Sequence, residues 1–455
     1  MQAITRLTII SIFLSLLLSC GSPQELPQSN DESPDQHTET SHVSEDENTE
    51  DASVVSSSDD AVRIGALVAL DGVFEGPGGD GVRGIEMAIA EFGGEVAGKP
   101  IELVLQRTNA SYDLAYSSAE KLIEQDQVDF IIGPLSGDEG LAVKEYAKTQ
   151  PNYTFINGTS AAQDMTLRDP SANVFRFSTD GVQWMAGLGN YVYNEQKYER
   201  IVTIGEDYSF IHGQVGGFLV EYCEAGGSVE EQFWVPLGTK NYSAVVSAIP
   251  ADIDAIYVGL GGTDAVDFLR QYKRFGGTAP LIGSTVTLDQ SILSEASVQE
   301  FVLGAASAGP TADDNQDPAW ISFVETYRTT YPDGFDTPSL FAWGYYVNTK
   351  AALIALENVD ADLSDDQQAF QSALAEISIE SPTGTISLDM NRHAVGTNYL
   401  TVVAADENGQ LFRKLVKATP NVNQTLNLPR DEYLALGEFS GTYEGCDQFM
   451  QKAAN

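Results

Sequence analysis

Few residues in this chain could do chemistry, and the best candidates lie on two loops. Ser136 and Gly137 follow one apolar run, and Thr159 and Ser160 follow the next. Hydroxyls and backbone N–H groups on two neighbouring loops can hold the polar head of a small molecule. The same small residues are common turn formers, so the pattern alone leaves both interpretations open.

Patterns typical of enzymes and metal sites are weak. Beyond residue 60 the only histidines are His212 and His393, and no Gly-x-Ser-x-Gly elbow occurs. The glycine-rich run Gly76–Gly81 lacks the Lys-Ser/Thr pair of a phosphate-binding loop. We therefore expect a binding protein with no cofactor and no metal. An exported hydrolase is the alternative from another class, and it would need a nucleophile with a base or two facing carboxylates.

The first residues predict export. A weakly basic start with Arg6 leads into the apolar run Leu7–Leu18, which is too short for a permanent membrane span. Ser19 and Cys20 directly after it are similar to a bacterial lipobox. We therefore predict a lipoprotein signal peptide over residues 1–19 and lipidation of Cys20. An ordinary signal peptide with a chance cysteine, or an uncleaved anchor, is the alternative.

Residues 20–60 are predicted to be a disordered acidic linker, because they are rich in polar and acidic side chains and poor in apolar ones. Acids also outnumber bases in the remaining chain, and the whole chain carries a net charge of −42. This charge argues against nucleic acid, whose phosphates need a basic surface. We attribute it to solubility rather than to a binding function.

The remaining thiols fit export. Cys223 and Cys446 belong to no Cys-x-x-Cys cluster. In an oxidising compartment they can form one structural disulfide, but two separate buried thiols fit the sequence as well.

Strands alternate with helices from residue 61 onward. Val62–Leu70 is an apolar strand, the glycine-rich run is expected to be a loop, and a helix with an apolar stripe follows. The rhythm begins again at Arg200–Gly205. Two such units predict an α/β protein with two doubly wound lobes and parallel central sheets, and ligands bind such sheets at the carboxyl ends of their strands.

An ordered series of segments carries a resemblance to a known family. The series runs through Ile64–Gly94, Pro134–Asp138, Phe155–Ala162, Val174–Asp180 and Asp207–Phe210. It resembles the type I periplasmic binding proteins, in particular the branched-chain amino acid branch. The resemblance implies a monomeric solute receptor that hands a small molecule to the permease subunits of an ABC transporter. A sensory subunit would have the same binding chemistry.

The resemblance also implies two lobes joined by three hinge crossings. We place these near Phe177–Asp180, Gly304–Ala308 and Gly384–Leu388. The predicted boundaries are 61–178 and 306–384 for lobe 1, and 179–305 and 385–455 for lobe 2 with a C-terminal tail. The chain beyond about Asn421 lies outside the resemblance, and we expect it to form either a cover for a sheet edge or a tail.

Three departures from the family pattern concern the ligand. Ala161 stands where a threonine is usual, Thr285 where an acid is usual, and Gly261 where an aromatic is usual. A buried ammonium group needs an acidic partner. Leucine, isoleucine or valine in the usual pose is therefore not expected. We predict a small polar solute, either an amino acid held differently or a related amide or carboxylate.

The remaining candidates are acids and aromatics near the predicted cleft. Glu75, Asp138 or Asp264 could supply a substitute acid, although solvated or helix-capping carboxylates would look the same. The resemblance places Phe74, Tyr208 and Phe210 on the cleft wall, where they could stack on the ligand, and core packing is the alternative. A bulky residue at position 160 is expected to abolish binding without unfolding the protein.

Overall fold

The computed structural model describes residues 61–442 and 445–446, so the predictions for residues 1–60, including Cys20, lie outside the described residues. The strands are β1 Val62–Ala69, β2 Glu95–Val96, β3 Lys99–Thr108, β4 Phe130–Ile132, β5 Thr154–Ile156, β6 Val174–Phe175, β7 Arg200–Glu206, β8 Ser228–Val235, β9 Ala255–Gly259, β10 Leu281–Gly283, β11 Ala306–Gly309, β12 Ile379–Ser381, β13 Gly384–Leu388, β14 Ala394–Ala405 and β15 Leu411–Val422.

The α-helices alternate with these strands along most of the chain. They are α1 Glu75–Glu91, α2 Tyr112–Glu124, α3 Gly137–Thr149, α4 Leu188–Asn194, α5 Ser209–Glu224, α6 Ser243–Ala248, α7 Gly262–Arg274, α8 Gln290–Leu293, α9 Gln299–Val302, α10 Pro318–Thr330, α11 Leu340–Asn358, α12 Gln368–Glu376 and α13 Arg430–Ala435. Short 3-10 helices cover Gly72–Phe74, Gln163–Met165 and Gln183–Met185. Among the described residues, no helix is both long and apolar enough to cross a membrane.

Each lobe is built on its own sheet. The sheet of lobe 1 has the order β2-β3-β1-β4-β5-β6, with parallel pairing from β3 to β6. The sheet of lobe 2 has a parallel part, β8-β7-β9-β10-β11, and continues through β14 into an antiparallel part with β13, β12 and β15. This topology confirms the predicted α/β class with two parallel-centred lobes.

Sheet membership differs from the predicted lobe boundaries in two places. Strand β11 pairs with β10 and β14, so residues 306–309 lie in lobe 2 rather than in lobe 1. The β12–β13 hairpin pairs with β14, so the chain joins the second sheet at Ile379, before the predicted crossing. The first sheet ends at Phe175, just before the predicted first crossing.

The glycine-rich run is helical, which corrects the predicted loop. Helix α1 begins at Glu75 and contains the whole run. A Cβ on Gly78 would lie 1.8 Å from the Ala69 carbonyl oxygen, and one on Gly84 would lie 2.1 Å from that of Ala342. The glycines therefore let α1 pack directly on strand β1 and helix α11. This packing outweighs the poor helix propensity that suggested a loop.

Candidate functional site

A small cavity lies where the two lobes meet. Its lining is Phe74, Leu135, Ser136, Gly137, Thr159, Ala161, Leu340 and Phe341 from lobe 1, with Trp184, Tyr208, Phe210 and Val286 from lobe 2. The space left for a water-sized molecule is about 10 Å³, roughly the room for one water. The lobes are therefore closed, and their own side chains fill the cleft.

The first loop of lobe 1 is fixed by a capping box at the start of α3. The Glu139 amide donates to Ser136 Oγ, and the Ser136 amide donates to Glu139 Oε2 at 2.9 Å. Glu139 Oε1 also accepts from the Ala110 amide at 2.9 Å. The Ser136 hydroxyl therefore caps helix α3, while Gly137, the first residue of that helix, lines the cavity. A helix N-terminus carries partial positive charge and favours an anion.

The second loop turns its side chains in two directions. The amides of Thr159 and Ser160 both donate to the Pro134 carbonyl, at 3.0 and 3.1 Å. Thr159 and Ala161 line the cavity. Ser160 does not: its side chain is fully buried, and its Oγ lies 2.0 Å from where a Cβ on Gly140 would be. Ser160 therefore packs under helix α3, away from the cleft.

Aromatic rings form the wall contributed by lobe 2. Tyr208 is the N-cap residue of α5, and Phe210 lies in the first turn of that helix. The Phe210 ring meets the Trp184 ring edge-on, with centroids 5.6 Å apart and planes at 74°. Burial, followed by nearby carboxylates such as that of Glu206, raises the pKa of Tyr208. Tyr208 therefore stays an uncharged phenol at neutral pH.

The lobes touch at two edges of the cavity. At one edge, the Ser209 amide donates to Asp138 Oδ1 at 3.2 Å, and a Cβ on Gly137 would lie 2.9 Å from the Phe210 amide nitrogen. At the other, a Cβ on Gly261 would lie 3.0 Å from the Phe74 ring. Small residues at these points allow the lobes to close to backbone contact.

Asp138 faces a second chamber instead of the central cavity. This chamber, of about 310 Å³, lies beside the cleft and is lined by both lobes and by residues 438–440. Tyr208 lines both chambers and separates them. Asp138 is thus part of an interlobe contact and lies outside the apolar cavity.

The other predicted acids and Thr285 lie away from the cavity lining. Glu75 is exposed at the start of α1. Asp264 Oδ2 accepts from the Gly238 amide at 2.5 Å and belongs to the structure of lobe 2. Thr285 Oγ1 donates to the Ala308 carbonyl at 2.6 Å and accepts from Gln214 at 2.8 Å.

Several residues that line the cavity were not predicted from the sequence. Leu340 and Phe341 begin helix α11, almost two hundred positions after the loops that they join. Trp184 follows the first crossing, and Val286 directly follows Thr285. An apolar residue next to a predicted site position was the only available signal. Trp343 and Tyr345 of the same helix, in contrast, are buried in the core.

A buried acid lies directly behind the wall of lobe 2. Glu206 ends strand β7, is fully buried, and accepts from the Gly261 amide at 3.0 Å through Oε1. Its Oε2 has no hydrogen-bond partner among the described residues. Burial, opposed by the Gly261 hydrogen bond and reinforced by Asp264, raises the pKa of Glu206 well above its usual value.

The hinge contains a buried polar network. Asp180, at the first crossing, accepts from the amides of Val182 and Gln183, both at 3.0 Å. His393 Nε2 lies 2.5 Å from Gln183 Oε1 and 3.7 Å from Asp180 Oδ2. Burial and the charge of Arg176 lower the pKa of His393, so its ring is neutral at neutral pH. No group of three or more metal-binding side chains occurs within the described residues.

Two sheet-centred lobes with a small cavity between them are the architecture of a two-lobed binding protein. The family model of the periplasmic binding proteins matches residues 61–410. The chain belongs to this family, which confirms the resemblance noted in its sequence.

Named relatives agree with this assignment. Leu/Ile/Val-binding protein homolog 6 of Brucella melitensis biotype 1 is 23% identical over 368 residues, covering 79% of this chain and 91% of the relative. An ABC transporter substrate-binding protein from Sphaerobacter thermophilus is 26% identical with a TM-score of 0.72, covering 80% and 99% of the two chains. A solute-binding protein from Rhodopseudomonas palustris BisB5, solved with 3,4-dihydroxybenzoic acid, has 23% identity and a TM-score of 0.74 at the same coverage. The chain is a solute-binding protein rather than an enzyme, and its family implies a location outside the cytoplasm.

Proposed function

We propose that this protein is the solute receptor of an ABC importer, exported and anchored to a membrane by lipidated Cys20. The acidic linker of residues 20–60 would hold the folded part away from the membrane surface. Family membership supports the receptor role. The small residues that bring the lobes to backbone contact support closure of one lobe on the other as the mechanism.

We propose that the ligand is a small carboxylate with a flat, apolar body. The observation that carries this proposal is the cavity lining, in which aromatic and aliphatic side chains dominate and no described residue is charged. Because the Ser136 amide already donates to Glu139 Oε2, only the remaining backbone N–H groups at the start of α3 would be offered to a ligand carboxylate. Aromatic rings on both sides suit a planar body by stacking or edge contacts. The dihydroxybenzoic acid bound to the R. palustris protein has this chemistry.

An amino acid in the usual pose is the less favourable ligand. Its ammonium group would need a carboxylate, and burying it without one costs several kcal/mol. The acids beside the cavity already accept backbone hydrogen bonds: Asp138 from the Ser209 amide, Glu139 from the Ser136 and Ala110 amides, and Glu206 from the Gly261 amide through one of its two oxygens. The phenol of Tyr208 is uncharged and cannot replace an acid.

Binding requires the cleft to open first. Small-molecule pockets usually measure ~300–1,000 Å³, whereas the closed cavity has about 10 Å³. In the proposed sequence, the ligand first meets the Gly137 and Thr159 loops of lobe 1. Lobe 2 then closes, and the rings of Tyr208 and Phe210 shift to admit the ligand body.

The test is a thermal-shift and calorimetry screen of the purified protein at pH 7. Benzoate and 4-hydroxybenzoate are compared with benzylamine, with leucine and with acetate. A ligand at ~100 times its Kd stabilises the folded state by about 2.7 kcal/mol, which gives a clear rise in Tm. Binding of the aromatic acids, but not of benzylamine, supports the proposal. Binding of leucine or benzylamine in preference to the acids contradicts it.

A matched pair of variants locates the site. Phe210→Ala removes a ring from the cavity wall and should weaken binding of the aromatic acid. Phe275→Ala removes a ring that is 47% exposed at the end of α7, and should leave affinity unchanged. Equal effects of the two substitutions would place the ligand elsewhere.

A further inference from the structure

The last described part of the chain lies outside the matched region of the family and contacts both lobes. We call residues 423–442 together with Cys446 the C-terminal strap. It leaves lobe 2 after strand β15, which ends at Val422. Gln424 Nε2 then donates to Asp180 Oδ2 at 2.9 Å and to Thr166 Oγ1 at 3.0 Å, so the strap passes over the first hinge crossing.

The middle of the strap rests on lobe 1. Arg168 Nη2 donates to the Gly437 carbonyl at 2.7 Å, and Arg430 Nη2 donates to the Leu167 carbonyl at 3.1 Å. Gln163 Nε2 lies 2.6 Å from the hydroxyl oxygen of Tyr433, whose ring is fully buried. These contacts all reach the segment between strands β5 and β6.

The end of the strap returns to lobe 2. The Phe439 ring lies against Gly216 in helix α5, 2.2 Å from where a Cβ would be. Cys446 forms a disulfide with Cys223 in the same helix. The strap is therefore attached to lobe 2 at both ends and to lobe 1 in between.

We propose that the C-terminal strap is a clasp that holds the lobes closed, and that the Cys223–Cys446 disulfide makes it effective. The proposal rests on the lobe closure put forward above. When lobe 1 moves away, a strap fixed to lobe 2 at both ends cannot follow it, so its contacts with lobe 1 must break. If the disulfide is absent, only packing contacts such as that of the Phe439 ring on Gly216 hold the end of the strap to lobe 2. The end can then detach and follow lobe 1, and the contacts with lobe 1 persist in the open form. With the disulfide in place, opening must break the contacts between the strap and lobe 1, so these contacts stabilise the closed form. Without the disulfide, the same contacts would not affect the balance between the open and closed forms.

This geometry predicts coupling between the disulfide and the lobe 1 contacts. Arg168→Met removes the hydrogen bond to Gly437, and Cys446→Ser removes the disulfide. In the disulfide-bonded protein, Arg168→Met should increase the open fraction roughly ten- to hundredfold, as expected for loss of one hydrogen bond to a charged group. In the Cys446→Ser background, it should change the open fraction by less than about twofold, and the cycle of four proteins isolates this coupling.

The readout is hydrogen exchange by mass spectrometry, without ligand. Peptides covering Phe74 and Gly261 report lobe opening, because these residues meet across the cleft. Arg270→Met, on an exposed arginine of lobe 2, is the matched control and should change nothing. If Cys446→Ser folds poorly, wild-type protein treated with dithiothreitol provides a form in which the disulfide is reduced without any substitution.

Each result has a defined meaning. Faster exchange for Arg168→Met only when the disulfide is intact supports the clasp. Equal effects in both backgrounds, or none in either, refute it. The closure mechanism is tested separately by Gly137→Ala, whose added methyl group meets lobe 2. If even that variant leaves exchange at the cleft unchanged, closure itself is wrong.

Discussion

A single added methyl group at Gly137 should hold the lobes apart without harming either one. Gly137 is the first residue of helix α3 in lobe 1. Its Cβ would lie 2.7 Å from Ser209 Oγ and 2.9 Å from both the Cβ and the amide nitrogen of Phe210. All three atoms belong to lobe 2, and one is backbone that cannot rotate away. Alanine itself suits a helix better than glycine does.

The magnitude follows from the cost of overpacking. Extra methyl groups in packed interiors typically cost ~1–3 kcal/mol. This cost falls on the closed form alone, so affinity should fall roughly fivefold to hundredfold at ~1.4 kcal/mol per tenfold change. Gly79→Ala is the matched control, because it adds a methyl group to helix α1 with no atom within 4 Å.

The assay combines calorimetry with the ligand from the screen and small-angle X-ray scattering without it. Gly137→Ala should show weaker binding and a larger radius of gyration, whereas Gly79→Ala should match the wild type in both. Unchanged affinity and dimensions for Gly137→Ala would show that the closed contact at α5 plays no part in binding.

Three further substitutions test the environment of the cleft. Glu206→Gln should raise Tm at neutral pH. The pKa of this buried acid is raised above its usual value of 4.5, so the stability of the wild type falls as pH rises above that value. Melts from pH 4 to 8 should show a flatter dependence of Tm on pH for the variant, and parallel curves would contradict the raised pKa. Ser160→Leu should lower stability by roughly 1–3 kcal/mol in urea titrations, because the side chain packs against Gly140, and unchanged stability with lost binding would restore its predicted role in the cleft. Thr285→Val should cost about 1–3 kcal/mol of stability by leaving Gln214 without its partner, with ligand affinity retained in calorimetry.

The lobes could be predicted because local patterns determine them. Apolar β-branched runs such as β1 and β7 are typical of buried parallel strands, and each one begins a series of alternating strands and helices. The glycine-rich start of α1 could not be predicted, because its helical form depends on contacts with β1 and α11, which the local sequence does not contain. The pairing of Cys223 with Cys446 joins residues 223 positions apart and was open for the same reason.

The candidate site was predictable only to the level of its loops. Ser136, Thr159 and Ala161 line the cavity, but neighbouring side chains on a loop can point in different directions. Ser160 consequently points under helix α3, and Thr285 points into lobe 2. Leu340 and Phe341 reach the cavity from a distant helix, which no local motif could reveal.

The departures at Gly261 and Thr285 have one physical consequence in common. Because Gly261 has no side chain, the Phe74 ring can lie 3.0 Å from its Cβ position, in space that an aromatic residue at 261 would occupy. Because the Thr285 hydroxyl bonds Ala308 and Gln214, Val286 becomes the lining residue. The change at 285 replaces an acid of the usual pattern by the apolar side chain of Val286 on the lobe 2 wall, and the change at 261 makes room for the Phe74 ring of lobe 1. An ammonium group would lose its partner there, while a planar apolar body would gain contact area, so the two substitutions together favour the aromatic carboxylate proposed as ligand.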